Sequence, residues 1–535
     1  MDSTTLSCKS FIMRILNFVA APVTIQPMFF LLLYVLLHLL DLFFYGGFPL
    51  LSPLLKIVFG IFVCYVLIFP TIFFSSIIRK AYKFVILLLA IVQFVVDLYL
   101  VIVYNETFST LHVDVLAAIV ATNPVEAKEY INSYLTIDKF LLIAFTLLIL
   151  LLGWYYLNKL RFKMTQLTSI IISVVILFTT AVSAFHYKKL VLGNIYFLFR
   201  TEAPNLTDYL HNPLIKGDEA APEYVVLVVG ESFAKSHSSM YGYLQETNPL
   251  LSTVSQDSLL IVYKNVTSAA TKTIPAFKSL MTSYTDEMSD SIKWYECLTL
   301  IEIMKNRQYN TIWLSNQDRK GYFDNEVSCF AALCDEQKFA KEMYGKVDYD
   351  ECLLPLLREI VSHSGTRTFI IVNLMGSHIY YSARYPHSYA KFSAGDYSES
   401  HSHLSAAARN TLAEYDNSIL YNDYVVYEIV KTFEKKDAVV FYLSDHGQDV
   451  FHSSNDYAGH GLNGNKKSMK IALDIPMIIY TSPLFREKRK QLYTRMFNAV
   501  DMPYRTDSIM YTIMDIAGID SVNNISYKHK SLIKE

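Results

Sequence analysis

Two stretches of the chain end an apolar run on groups that bind metal ions. Val439-Val440-Phe441-Tyr442-Leu443-Ser444 leads into Asp445-His446-Gly447, and Tyr224-Val225-Val226-Leu227-Val228-Val229-Gly230 leads into Glu231-Ser232. Runs of this kind read as strands buried on both faces, and open α/β sheets place their active sites beyond the carboxyl ends of such strands. Asp and Gly are also ordinary turn residues, so either ending alone is equally a plain turn. Taken together, two carboxylates and an imidazole form a hard-to-borderline donor set that suits Zn²⁺.

Three further pieces bear on the same site. Val266 to Pro275 carries Thr271 and Thr273 just before a predicted helix, Met375-Gly376-Ser377-His378 follows another strand, and His460 sits in Gly459-His460-Gly461. A threonine beside a divalent cation loses its proton more readily than a free alcohol. At the amino end of a helix it also lies where phosphate oxygens meet free N–H groups. Thr273 and Thr271 are both open as the nucleophile on these grounds. Asn316, at the end of a predicted strand, reads either as a substrate contact or as a turn residue. His237 reads either as a substrate contact or as a hydrogen-bonding residue of the loop after the first strand.

The elements that must position these groups alternate. Strands are expected at 224–229, 310–315, 367–374, 437–443 and 473–480, and helices at 273–283, 298–306, 351–362 and 408–434. The alternation predicts an α/β domain with a mostly parallel sheet flanked by helices, spanning 223–535.

The amino-terminal third has a different solvent. Apolar runs at about 24–44, 54–77, 83–104, 139–157 and 166–185 predict a transmembrane domain of five spans within 1–185. Lys9 and Arg14 precede the first run; Arg79, Lys80 and Lys83 follow the second, and Lys159, Arg161 and Lys163 follow the fourth. The bias places the amino terminus in the cytoplasm and everything after about 186 on the outer side. Residues 186–222, with Tyr196, Phe197, Phe199 and Tyr209, are expected to form a connector on the membrane interface. A net charge of −2 excludes an ordinary nucleic-acid binder. Between the third and fourth runs, Thr122 and Glu126 read either as capping and first-turn residues of a helix opened by Pro124 or as a polar patch for a lipid headgroup. Cys297, Cys329, Cys334 and Cys352 fall on the outer side, where two disulfides (Cys329 with Cys334, Cys297 with Cys352) or four free thiols are both open.

At this point the motifs resemble a known family. Glu231-Ser232 with His237-Ser238-Ser239, Tyr241-Gly242-Tyr243, Asn248-Pro249, Thr271-Lys272-Thr273, Met375-Gly376-Ser377-His378, Arg384-Tyr385-Pro386 and Ser444-Asp445-His446-Gly447 are similar to the bacterial phosphoethanolamine transferases that modify lipopolysaccharide, including the polymyxin-resistance enzymes. These belong to the alkaline phosphatase/sulfatase superfamily. The resemblance implies an alkaline-phosphatase-like α/β domain in which Glu231, Thr273, Asp445 and His446 bind zinc, and Thr273 carries the covalent phosphoethanolamine. It implies that His378 and His460 contact the phosphate, a second zinc or the leaving group, and that Thr122 and Glu126 lie near the donor lipid. Phosphatidylethanolamine is then the donor, and lipid A, core sugar or another surface glycan the acceptor. The catalytic domain would face the periplasm from the bacterial inner membrane. The chain departs from the family at Ala269 and Ser279, where the nucleophile segment is often flanked by cysteines, and at Ala118, where an asparagine is expected. A phosphoglycerol transferase of the same superfamily, or an inactive membrane sensor or scaffold, are the alternatives. A sulfatase would need cysteine or serine where Thr273 stands.

Overall fold

The structure, a computed structural model, describes most of residues 26–43, 60–104 and 137–159, a few isolated positions besides, and then 205–217 and 221–533 apart from short stretches around 286–291, 320–326, 346–348, 364–366, 456–457 and 461–464. The chain forms two compact units, the second of which holds residues 201–535.

The described helices of the first unit include α1 (Pro27–Phe43), α2 (Ser76–Tyr104) and α3 (Ile137–Lys159), with a shorter apolar helix at Val63–Ile72. They pack through Phe29, Leu33, Leu36, Ala90, Phe94 and Ile143. Yet Phe84, Leu89, Leu141 and Phe145 are exposed on the outer surface of the same helices. Helices apolar all round suit a lipid solvent rather than water. Among the described residues one stretch, Ser76–Leu98, is long and apolar enough to cross a membrane. The basic cluster expected between two spans lies instead inside α2. A 3-10 turn at Phe69–Ile72 ends the preceding segment, so the helix begins before Arg79, Lys80 and Lys83. Arg79 donates back to the Phe74 carbonyl at 2.9 Å, and the Lys83 ammonium lies 4.3 Å over the Phe29 ring. Thr122, Glu126, Cys8 and nearly all of the run at 166–185 lie outside the described residues.

The second unit is built on seven strands: β1 (Tyr224–Gly230), β2 (Leu260–Tyr263), β3 (Asn310–Ser315), β4 (Glu336–Phe339), β5 (Thr368–Asn373), β6 (Ala438–Ser444) and β7 (Met477–Thr481). Their order is β2-β7-β6-β1-β5-β3-β4. Only β7 runs against its neighbours; the other pairings are parallel. β2 and β4 were not expected from the sequence. Both are short edge strands: β4 (Glu-Gln-Lys-Phe) is largely exposed and has no apolar run, whereas β2 closes the short apolar run at 259–263, which the expected set omits.

Every residue of β1 is buried. Alternate side chains enter different cores, as the two-residue repeat of a strand requires. Val225, Leu227 and Val229 pack with Phe277 and Leu280 of α4 (Thr273–Met281). Tyr224, Val226 and Val228 pack on the other face with Leu353 and Leu357 of α5 (Leu353–His363) and Ile419 and Val426 of α6 (Ala406–Thr432).

Residues 205–217, read from sequence as part of the connector, fold onto this unit. Leu206 is buried in its core, and Ile215–Gly217 pairs antiparallel with Ile519–Val522. The four cysteines here are free thiols. Cys329 and Cys334 lie with the α4-side core and Cys352 with the opposite one, where its thiol donates to Asn316 Oδ1 at 3.5 Å. Cys297 follows Trp294, which belongs to the α4-side core, so the sheet stands between Cys297 and Cys352.

Replacing Leu227, which is 0% exposed, with alanine is expected to cost about 2–5 kcal/mol of stability. Leu244→Ala, on an 88% exposed side chain, should change it by about 0.5 kcal/mol or less. Chemical denaturation of the detergent-solubilised protein, followed by tryptophan fluorescence, measures both.

Candidate metal centre and its loops

The three central strands deliver the chemistry side by side. Gly230 of β1 pairs with Ser444 of β6, and the chain continues from these positions into Glu231 and into Asp445-His446. On the other side of β1, β5 runs parallel and continues through Leu374 into Met375-Gly376-Ser377-His378. Asp445 N–H donates to the Gly230 carbonyl at 3.0 Å, so the ladder extends one residue into the site.

Glu231, Asp445 and His446 converge with ligand atoms within 4.8 Å of one another. His446 Nε2 lies 3.3 Å from Glu231 Oε1 and 3.4 Å from Asp445 Oδ2. Thr273 Oγ1 is 3.1 Å from Glu231 Oε2 and 3.3 Å from His446 Nε2. A tetrahedral centre with bonds of about 2.0–2.1 Å has donor–donor edges of about 3.3 Å, and the separations from His446 and Thr273 are close to that spacing.

The surrounding hydrogen bonds leave the inward atoms available. His446 Nδ1 donates to the Gly447 carbonyl at 2.9 Å, which turns Nε2 to the centre. Asp445 Oδ1 accepts from the N–H groups of Ser232 (3.2 Å) and His446 (2.7 Å), while Oδ2 is buried without a hydrogen-bond partner. Ser232 Oγ donates to Glu231 Oε1 at 2.8 Å from a backbone held at φ +60°. An orphaned carboxylate oxygen facing an imidazole and a second carboxylate is the environment a divalent cation completes.

The electrostatics point the same way. Burial and the Glu231 charge push the Asp445 carboxyl up to about 8. Burial would also raise Glu231, but the hydrogen bond and charge of His446, aided by His378 and His460, hold it below the usual carboxylate range. Burial opposes charging of His446, and Asp445 and Glu231 overcome it to raise that imidazole to about 9. A proton on His446 is thus standing in for a positive charge the two acids require.

Thr273 is the first residue of α4, and Lys272 caps it in extended conformation. Thr273, rather than Thr271, brings its hydroxyl to the cluster. The segment before it is held by polar contacts. Ser268 Oγ reaches the Asp445 carbonyl at 2.5 Å, Ser268 N–H donates to Leu473, and Ala269 N–H donates to Thr506 Oγ1 at 2.9 Å. His460 lies against His446 in a tilted arrangement, with ring centroids 4.6 Å apart. Burial, the His446 charge and, further out, that of Lys272 push its imidazole well below the usual value, so it is neutral. His378 is adjacent electrostatically to Glu231, and its Nδ1 is buried without a partner.

Asn316 lies apart from the cluster. It is 1% exposed and its amide donates to Asp350 Oδ1 at 2.9 Å, a supporting contact rather than an open one. His237 is likewise committed, through Nδ1 to Asp416 at 2.7 Å and through Nε2 to His452 at 2.8 Å. Sequence reading gave no role to Ser232, Ser268, Lys272 or Asp350. Ser232 and Lys272 were visible as neighbours of expected ligands, whereas Ser268 and Asp350 act through contacts far along the chain.

Three comparisons bear on this geometry. Residues 223–519 match the Sulfatase family model. The phosphoethanolamine transferase EptC of Escherichia coli O18:K1:H7 is 28% identical over 456 residues, covering 78% of this chain and 76% of that protein. The zinc complex of the periplasmic domain of Escherichia coli EptC superposes on 60% of this chain and 90% of that one, at a TM-score of 0.53 and 26% identity. The integral membrane protein EptA, a lipooligosaccharide phosphoethanolamine transferase of Neisseria meningitidis, shares the fold over 94% of this chain and 97% of its own, at a TM-score of 0.64 and 18% identity.

Zn²⁺ added to metal-stripped protein is expected to raise its melting temperature. Glu231→Gln and Asp445→Asn should abolish that response, and Ser232→Ala should require about 10–100-fold more Zn²⁺. Thermal melts across a zinc-buffer series, with metal content measured on the same samples, check the assignment.

Proposed function

From the premise that the chain belongs to the sulfatase family and is a phosphoethanolamine transferase, we propose that it moves phosphoethanolamine from phosphatidylethanolamine to lipid A, lipopolysaccharide core or another surface glycan, through a covalent intermediate on Thr273. The observation that carries this reading is the approach of the Thr273 hydroxyl to both Glu231 and His446 at the opening of α4.

Glu231, Asp445, His446 and Thr273 are the residues that would hold Zn²⁺. When bound, the ion supplies Lewis acidity that favours the threonine alkoxide and the charge developing on the transferred phosphoryl group. Thr273 Oγ attacks the phosphorus of the donor phosphodiester, and the bond from phosphorus to the diacylglycerol oxygen breaks. The departing oxygen takes a proton from His378 in this proposal, while His460, held neutral beside the cluster, contacts the phosphate or the leaving group. The N–H groups opening α4 and the Lys272 ammonium favour the anionic phosphoryl oxygens. An acceptor oxygen then attacks the same phosphorus and releases Thr273. Placement of the second unit on the periplasmic side of an inner membrane, held by five spans with a cytoplasmic amino terminus, completes the proposal. It is supported by the basic-residue bias and by the fold shared with an integral membrane protein. Thr122 and Glu126 are proposed as donor-lipid contacts.

Intact-mass spectrometry of the zinc-loaded protein after incubation with phosphatidylethanolamine tests this reading. Wild type is expected to gain one phosphoethanolamine mass and Thr273→Ala none. An adduct on Thr273→Ala would move the nucleophile elsewhere. A glycerophosphate mass, with phosphatidylglycerol supplied, would make the protein a phosphoglycerol transferase.

A further inference from the structure

The loop from Leu374 to Tyr380 is gripped at both ends by buried charges of opposite sign. At its start, Asp350 Oδ1 accepts the Met375 N–H and Oδ2 accepts the Gly376 N–H, each at 2.9 Å. The remaining position on Oδ1 is filled by Asn316 Nδ2 at 2.9 Å. At its end, Arg384 Nε donates to the His378 carbonyl at 3.1 Å and a terminal nitrogen donates to the Ile379 carbonyl at 2.8 Å. Asp350 is 5% exposed and Arg384 8%. An acid thus holds the loop's N–H groups and a base holds its carbonyls, the polarity each backbone group prefers.

The loop held by this grip lies directly against Glu231. Gly376 has φ +52°, and a Cβ there would fall 2.7 Å from the Glu231 amide nitrogen. Ser377 N–H donates to the Glu231 carbonyl at 2.9 Å. His378 follows directly, with its Nδ1 buried and unpartnered. Nothing in the hydrogen bonding of that ring nitrogen fixes its place, so the backbone must.

We propose that Asp350 and Arg384 are positioning residues, a charge clamp on the Met375–Ile379 backbone that sets the His378 imidazole for the transfer reaction. Neither touches the reacting atoms; both act through His378. The inference rests on the reading of His378 as a participant in the transfer. Asn316 serves the clamp by aligning the Asp350 carboxylate, and Cys352 in turn donates to Asn316.

The test is a double-mutant cycle on the full-length, zinc-loaded enzyme, reading the rate of the Thr273 adduct from phosphatidylethanolamine in a single turnover, with metal content and melting temperature on each sample. Asp350→Asn keeps the shape but offers an amide where an N–H acceptor is needed. It is expected to slow adduct formation about 10–100-fold at full metal content. Arg384→Lys, which retains the charge and loses the fork, should be slowed less than Arg384→Gln. In a His378→Ala background, Asp350→Asn should cost less than about threefold further, because the two act as one unit. A full additional loss in that background, or a loss that follows metal content, would make the clamp merely structural and overturn the inference. His378→Ala at wild-type rate would instead overturn the reading beneath it. If Asp350→Asn fails to fold, the Arg384→Lys and His378→Ala pair runs the same cycle.

Discussion

Glu231, Asp445 and His446 are 2%, 0% and 0% exposed, so all three have lost their hydration, and two acids face a single imidazole. Left alone, such a cluster is unfavourable, since burial penalises each charge and the acids repel one another. A cation at the common point offsets both effects. The surrounding contacts are arranged to preserve that point rather than fill it. Backbone N–H groups occupy Asp445 Oδ1 and leave Oδ2, while Gly447 takes His446 Nδ1 and leaves Nε2. Removing any one of these second contacts would free a ligand to turn away.

The sheet converts that local demand into architecture. β1 lies between β6 and β5, and all three run parallel, so their carboxyl ends open into one crevice. β1 and β6 need to contribute only one or two residues beyond their last ladder pair, whereas β5 reaches His378 through a short loop. Both faces of β1 are packed in core, which holds the register against a slip that would turn Glu231 to the wrong side. The segment that leads into Thr273 has no strand of comparable length behind it, and Ala269 and Ser279 give it no disulfide. Its anchoring is polar instead, with Ser268 on the Asp445 carbonyl and Ala269 on Thr506. Thr273 is therefore tied to the same strand end that supplies Asp445 and His446.

The central strands and the strand-end positions of Glu231, Asp445 and His446 were legible in the sequence because each is a local pattern: a long apolar run, then a polar group. β1, β3, β5 and β6 fall within a residue or so of where such runs place them. What escaped was whatever depends on a distant partner. β4 is an edge strand whose pairing, not composition, defines it; β2 is the exception, a short apolar run that went unassigned. The cysteines gave an even count and an oxidising location, yet the sheet separates Cys352 from the rest. Asn316 stands at a strand end, where sequence offered substrate or turn; its actual partner, Asp350, lies on a turn before a helix. In the membrane unit the apolar runs were plain, but the α2 boundary was not. A bend at Phe69–Ile72 is short enough that the positive charges start the next helix instead of filling a loop.

Proton handling follows from how the imidazoles are divided. His446 is committed through both nitrogens, one to the Gly447 carbonyl and the other to the centre, so it has no lone pair to spare for a leaving oxygen. His237 is committed likewise to Asp416 and His452. His460 is held neutral beside the cluster, and His378 brings a buried, unpartnered Nδ1 on a loop wedged against Glu231. His446 and His378 thus come from different strand ends and are held by different contacts. A single histidine could not serve both tasks, because binding a cation through Nε2 and donating a proton from it are mutually exclusive. Separate loops let each ring keep the tautomer its own task needs.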